Sequence, residues 1–286
     1  MMLTGKGRIA GIIGWPVGHS LSPLLHGYWL EELGIDGAMV PLAASVSDFA
    51  PVIEGVRRAG FTGVNVTVPH KQAAFAIAHR HDAPALAAGA ANLLIFEKDG
   101  TTSARNTDAG GLAAALTEKI APLNGKTAVV LGTGGAARAA LLALDALGAG
   151  TIHVLGRDEA KAATLTAAMA GNVAAALKPD ALAGWPKAAP AAALLVNATS
   201  AGMAGQPPLE LDLSPLPRAA GVCDIVYNPL ETALLKAAAA KGHVTIDGLG
   251  MLMHQAAPSF EAFFGARPTV TSGLRAALTK VLHARG

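Results

Sequence analysis

TAVVLGTGGAARAALLALDALGAGTIHVLGR, residues Thr127–Arg157, opens as an apolar strand, turns at clustered glycines, continues as an alanine- and leucine-rich helical stretch and closes on a second apolar strand. That order is a βαβ unit of a parallel sheet. Gly132, Gly134 and Gly135 follow the first strand directly, with Thr133 between them, and lead into a helix whose first amides have no partner within it. Such amides favour a pyrophosphate. Ala136 and Ala137 let the helix pack close to the strand. The second strand ends in Gly156, Arg157 and Asp158. An acid at that point would bond a ribose 2′-hydroxyl, and an arginine would accommodate a 2′-phosphate. Gly156 stands where the acid is expected, and Arg157 with Lys161 one helical turn on could hold a phosphate, which favours NADP. Asp158 argues for NAD unless it serves as a helix N-cap.

Downstream, the runs AALLVNAT, GVCDIVY and HVTIDG read as further strands separated by helix-like alanine-rich segments, so residues 107–249 form a dinucleotide-binding domain. Upstream, residues 1–106 alternate short apolar runs (IAGIIG, AMVPLA, GVNVTV, AANLLIF) with helix-like stretches, as a mixed-sheet α/β domain does. Residues 250–286 read as two helices with no strand to pair, expected to complete the first domain. The fold class is α/β with two domains, and 286 residues suffice for two cores.

Composition narrows the function. Net charge is +2, with Lys and Arg scattered singly, so there is no footprint for nucleic acid. Cys223 is the single cysteine, which excludes an internal disulfide and a multi-cysteine metal site and fits a reducing cytoplasm. Mean hydropathy is +0.42, but the apolar character is largely alanine and is interrupted well short of a bilayer span. The expectation is a cytoplasmic protein without a secretion signal, acting on a small molecule, with no metal and no membrane partner.

The chemistry concentrates in VNVTVPHK, Val64–Lys71. Val64, Val66 and Val68 share one strand face, Asn65 and Thr67 the other, and Pro69 ends the strand so that Lys71 lies just beyond its carboxyl end. Open α/β folds bind ligands there. Asn65 and Thr67 suit a polar substrate, and Lys71 can exchange a proton with a reacting oxygen. Ser20 and Ser22 stand on one side of an extended segment and could bind a carboxylate or hydroxyl; Ser22 before Pro23 also reads as an N-cap. Asn92 heads a hairpin, and Asp108 stands before a helix either as its cap or as a carboxylate that keeps Lys71 protonated. His19 and His26 lack a third ligand and read as structural. The loop VNATSAGM, with Thr199, suits a cover over a cofactor; DIVYNPLET carries Ile225 and Tyr227; DGLGMLMHQA has Gly248 and Gly250 at a turn and Gln255 in a helix.

In order and at compatible spacing, GxPxxHSxSPxxH, NVTxPxK, NTDxxG, GxGGAxR, NATSxGM, DxxYNPxxT and GxxMLxxQ all occur, and over nearly its whole length the chain resembles the shikimate dehydrogenase family. The resemblance implies a substrate domain, completed by the last helices, beside a Rossmann domain, and NADPH-dependent reduction of 3-dehydroshikimate in aromatic amino acid biosynthesis. It implies that Ser20, Ser22, Asn65, Thr67, Lys71, Asn92, Asp108, Tyr227 and Gln255 hold shikimate, with Lys71 and Asp108 catalytic. It also implies that Gly132, Thr133, Gly134, Gly135 and Ala136 hold the pyrophosphate, Arg157 the 2′-phosphate, and that Ile225 and Gly248 lie near the nicotinamide. The family's asparagine and threonine around the cofactor arginine are replaced here by Gly156 and Asp158. The alternatives are an NAD-dependent quinate/shikimate dehydrogenase and a catalytically silent nucleotide-responsive binding protein. The expected assembly is a monomer or a homodimer.

Overall fold

The computed structural model describes residues 3–285. The chain divides into two compact units: Met1–Thr107 with Gln255–Lys280, and Asp108–His254 with Val281–Gly286. Relative to boundaries drawn at 106/107 and 249/250, the changeovers fall at Thr107/Asp108 and His254/Gln255, and the chain from Val281 groups with the second unit.

The first unit contains β1 (Arg8–Gly14), α1 (Ser22–Glu32), β2 (Gly37–Ala43), α2 (Phe49–Arg58), β3 (Gly63–Val66), α3 (Lys71–Ile77), β4 (Arg80–His81), α4 (Ala83–Ala88), β5 (Leu93–Phe96) and β6 (Thr102–Arg105). Its sheet order is β2-β1-β3-β5-β6-β4. The β1, β2 and β3 strands are parallel, whereas β5 runs antiparallel to β3 and β6 to β5, so the sheet is mixed. Alternation places Ile13, Val64, Val66 and Leu94 against Phe49 and Ile53 of α2.

Two readings of this unit are corrected. Strand β3 stops at Val66: Thr67 N donates to Ile13 O and His70 N to Thr67 O, closing a turn around the cis Val68–Pro69 bond. Val68 is 68% exposed, so it does not share the buried face of Val64 and Val66. Ser22 is the first residue of α1 rather than its cap; Leu21 holds the cap position, and Ser20 Oγ accepts from Ser22 N at 3.2 Å. Proline at the second helical position has no amide to satisfy, which lets the helix start without a side-chain cap.

The second unit contains α5 (Asp108–Thr117), β7 (Thr127–Leu131), α6 (Gly135–Ala146), β8 (Thr151–Gly156), α7 (Glu159–Met169), β9 (Ala176–Ala181), α8 (Trp185–Ala188), β10 (Ala192–Asn197), β11 (Gly221–Asp224), α9 (Ala233–Ala240) and β12 (Val244–Ile246). Its sheet is parallel in the order β12-β11-β10-β7-β8-β9. Successive residues of β7 enter opposite cores: Ala128 and Val130 pack with α6, Val129 and Leu131 with Trp185, Leu195 and Leu235. A sheet covered on both faces explains why the strand reads as continuously apolar. The order reverses between β7 and β10, the switch point at which doubly wound sheets bind ligands. The edge strand β9, ALKPDA, has no apolar signature; Pro179 is tolerated because only one side of an edge strand is paired.

Helix α10 (Gly248–Phe264) begins in the second unit and ends in the first, and α11 (Ser272–Arg285) follows. Gly248 and Gly250 lie in the first turn of α10 rather than in a preceding loop, and Asp247 Oδ1 accepts from Leu249 N at 3.0 Å to start the helix. A Cβ at Gly248 would come within 2.0 Å of Ile225 O, so only glycine lets the helix start there. No helix among the described residues is long and apolar enough to cross a membrane.

Candidate active site

In the first unit the polar residues gather at the carboxyl end of β3. Asn65 is 4% exposed; its Nδ2 donates to Asn92 O at 3.2 Å and to Ser259 Oγ at 2.8 Å. Asn92 Nδ2 donates to Thr107 Oγ1 at 2.8 Å and Gln255 Oε1 at 3.2 Å, while Asn92 Oδ1 accepts from Thr107 N at 2.8 Å. The structure thus brings Asn65, Asn92 and Gln255 into one network. Thr67 leaves the strand immediately after Asn65, and Lys71 is the first residue of α3, one turn further on. Ser20 and the buried Ser22 are joined at the start of α1.

Ser259 and Thr107 complete this network and were not singled out by sequence reading. Ser259 could have been found from its spacing, four residues after Gln255 on the same helix face; Thr107 lies within the NTD of the NTDxxG motif. His26 is fully buried against Trp29, Phe260, Phe263 and Phe264, and neither ring nitrogen has a hydrogen-bond partner among the described residues. Burial lowers its pKa to about 3, so the ring is a neutral part of the core.

In the second unit the glycine turn joins β7 to α6. Gly132 has φ +112°, and a Cβ there would lie 2.9 Å from Ala198 O, so this position needs glycine. Helix α6 starts at Gly135 without a side-chain cap, and nothing lies within 4 Å of where a Cβ on Gly134 would point. Free helix-end amides beside open space fit a pyrophosphate. Across the switch point, Asn197 Oδ1 accepts from Thr199 N and Oγ1, which fixes the loop that meets Gly132.

Asp224, fully buried at the end of β11, accepts from Asn197 Nδ2 at 3.0 Å, Val226 N at 3.1 Å and Thr232 Oγ1 at 2.7 Å. Burial pushes its pKa up, and these donors oppose the shift. Its carboxylate ties the Thr199 loop to the segment holding Ile225 and Tyr227. Gly156 is buried at the end of β8, and Arg157 and Lys161 are exposed beside it. Asp158 caps α7, its Oδ1 accepting from Ala160 N at 3.0 Å and Lys161 N at 3.4 Å. Asp108 is buried at the first position of α5.

Comparison with known proteins identifies the family of the chain. The family model described as the shikimate dehydrogenase substrate binding domain matches residues 12–94. The chain is 47% identical over 280 residues to the shikimate dehydrogenase (NADP(+)) of Paramagnetospirillum magneticum, covering 96% of this chain and 99% of the relative. Among solved structures, the Thermus thermophilus shikimate 5-dehydrogenase in complex with NADP(H) and shikimate superposes with a TM-score of 0.84 at 34% identity, covering 96% of this chain and 99% of that one. The quinate dehydrogenase of Corynebacterium glutamicum in complex with NAD superposes with a TM-score of 0.88 at 30% identity, over 96% and 99% of the two chains. By its full-length similarity the chain belongs to the shikimate dehydrogenase family.

Proposed function

We propose that the protein catalyses the reversible, NADPH-dependent reduction of 3-dehydroshikimate to shikimate, a step of chorismate and aromatic amino acid biosynthesis. The observation that carries this reading is the cluster of Asn65, Asn92 and Gln255, held at the end of the segment that delivers Lys71. In this reading the first unit carries most of the substrate-binding residues and the second binds the nucleotide. Ser20, Ser22, Asn65, Thr67, Asn92, Tyr227 and Gln255 would receive the carboxylate and hydroxyls.

When bound, NADPH supplies a hydride to the C3 carbonyl carbon. Lys71 Nζ delivers a proton to the C3 oxygen as negative charge gathers there, and takes it back in the reverse direction. Asp108 is the second catalytic group of this reading, a carboxylate that would favour the charged amine. The Gly132–Ala136 turn would hold the pyrophosphate through backbone amides, Arg157 and Lys161 the 2′-phosphate, the Thr199 loop would cover the cofactor, and Ile225 and Gly248 would lie near the nicotinamide. The protein acts in the cytoplasm as a monomer or homodimer.

Gly156 and Asp158 motivate a second reading, a quinate/shikimate dehydrogenase using NAD. The cap formed by Asp158 weakens it, because a carboxylate engaged with helix amides has its charge offset by them. Nicotinamide absorbance followed with shikimate or quinate, each with NADP or NAD, separates the two. Shikimate with NADP alone supports the biosynthetic role, activity with NAD or quinate supports the second reading, and silence in every combination rejects both.

A further inference from the structure

We propose that Ser259 is a positioning residue for substrate: with the main-chain carbonyl of Asn92, it holds the Asn65 amide so that Oδ1 accepts from a ligand hydroxyl. This rests on the dehydrogenase reading above.

The argument follows from donors and acceptors. Asn92 O can only accept, so it must face the Asn65 NH₂, and the 3.2 Å contact uses one of that group's hydrogens. The Ser259 hydroxyl, 2.8 Å away, accepts the other. Ser259 can do so because its own hydrogen is directed to Gln255 O, one turn back on α10, at 3.5 Å. With both hydrogens committed, the amide cannot flip without setting its oxygen against the Asn92 carbonyl. Asn65 Oδ1 is left buried with no hydrogen-bond partner among the described residues. A buried acceptor without a donor is costly, and a ligand hydroxyl relieves that cost where an ether or ketone oxygen cannot. Ser259 is itself fully buried, so its hydroxyl acts through Asn65 and does not reach substrate.

The test measures the shikimate dissociation constant, KM, kcat and NADP affinity for wild type, Ser259→Ala, Asn65→Ala and the double variant, with thermal melts as a check on folding. Affinities are repeated with shikimate analogues in which each hydroxyl in turn is replaced by hydrogen. Ser259→Ala is expected to weaken shikimate binding roughly 3- to 10-fold, the worth of one anchoring hydrogen bond, through KM far more than kcat and with NADP affinity unchanged. The loss should vanish in the Asn65→Ala background and with the analogue that lacks the hydroxyl received by Asn65. An undiminished loss in that background or with every analogue, or no loss at all, overturns the role of Ser259. Wild-type protein that neither binds nor oxidises shikimate overturns the dehydrogenase reading, and with it the ligand assigned to Asn65.

Discussion

The two units build their sites in opposite ways. In the second, the loops at the carboxyl edge of the sheet are organised mostly by near neighbours: Asp158 caps the helix that follows it, Asn197 folds its loop onto Thr199, and Asp224 binds Val226 and Thr232, with the Asn197–Asp224 bond as the longer link between two of them. The first relies on distant partners, Asn65 with Ser259 and Asn92 with Gln255, joined across most of the chain. A nucleotide site can therefore be made from local turns and main-chain amides, whereas a site for a small polyhydroxy acid needs side chains converging from separate elements.

Lys71→Ala should have the largest effect and sharpens the contrast. We expect kcat to fall on the order of 10²- to 10⁴-fold while NADP still binds, as steady-state kinetics and nucleotide fluorescence would show. A loss of NADP affinity in that variant would break the division of labour between the units.

Next is Gly132→Ala, which forces a side chain into a left-handed backbone beside Ala198. It should cost about 1–3 kcal/mol of stability in urea unfolding and weaken NADP binding. Gly134→Ala, whose Cβ meets nothing but which puts alanine at the N-cap of α6, should cost less than about 1 kcal/mol, so a larger fractional loss of nucleotide affinity there reports on the ligand.

His26 tests the core of the first unit. Its pKa when folded, about 3, lies below the unfolded value of 6.5, so the unfolded chain binds a proton that the folded one refuses. Its contribution is complete above pH 6.5 and is lost as pH falls toward 3. Between pH 7 and pH 5 that loss amounts to about 2 kcal/mol. His26→Leu should flatten this part of the stability profile in denaturant titrations, and an unchanged profile would assign acid sensitivity to other groups.

The smallest effect belongs to Asp158. Asp158→Ala should cost about 1 kcal/mol as the α7 cap is lost, whereas Asp158→Ser keeps a cap and removes the charge. If Asp158→Ser leaves the ratio of NADP to NAD affinity unchanged, the carboxylate is indeed neutralised by the helix; a marked rise would show that it still repels the 2′-phosphate.

The same contrast governs what could be read without coordinates. The β7-α6-β8 unit is legible because its apolar runs, glycines and helix are contiguous. Strand β9 is hidden, since an edge position tolerates Pro179 and charged residues that erase the apolar pattern. Val68 follows the alternation of Val64 and Val66, yet the turn at Pro69 takes it out of the sheet, a tertiary effect that periodicity does not carry. Asn65, Lys71 and Gln255 stand out through motifs, but Ser259 and Thr107 gain their roles only from contacts that folding creates.

The interrupted course of the first unit also bears on how the protein is made. Trp29 packs on Phe260 and donates through Nε1 to Thr269 O, and Asn65 waits for Ser259, so the unit begun earliest cannot close until the last helices leave the ribosome. At about 5–20 residues per second the intervening stretch takes roughly 7–30 s to synthesise, long enough for the nucleotide unit to fold first. The order of synthesis and the order of closure are then reversed, and the aromatic surface around Trp29 lacks its Phe260 partner over that interval.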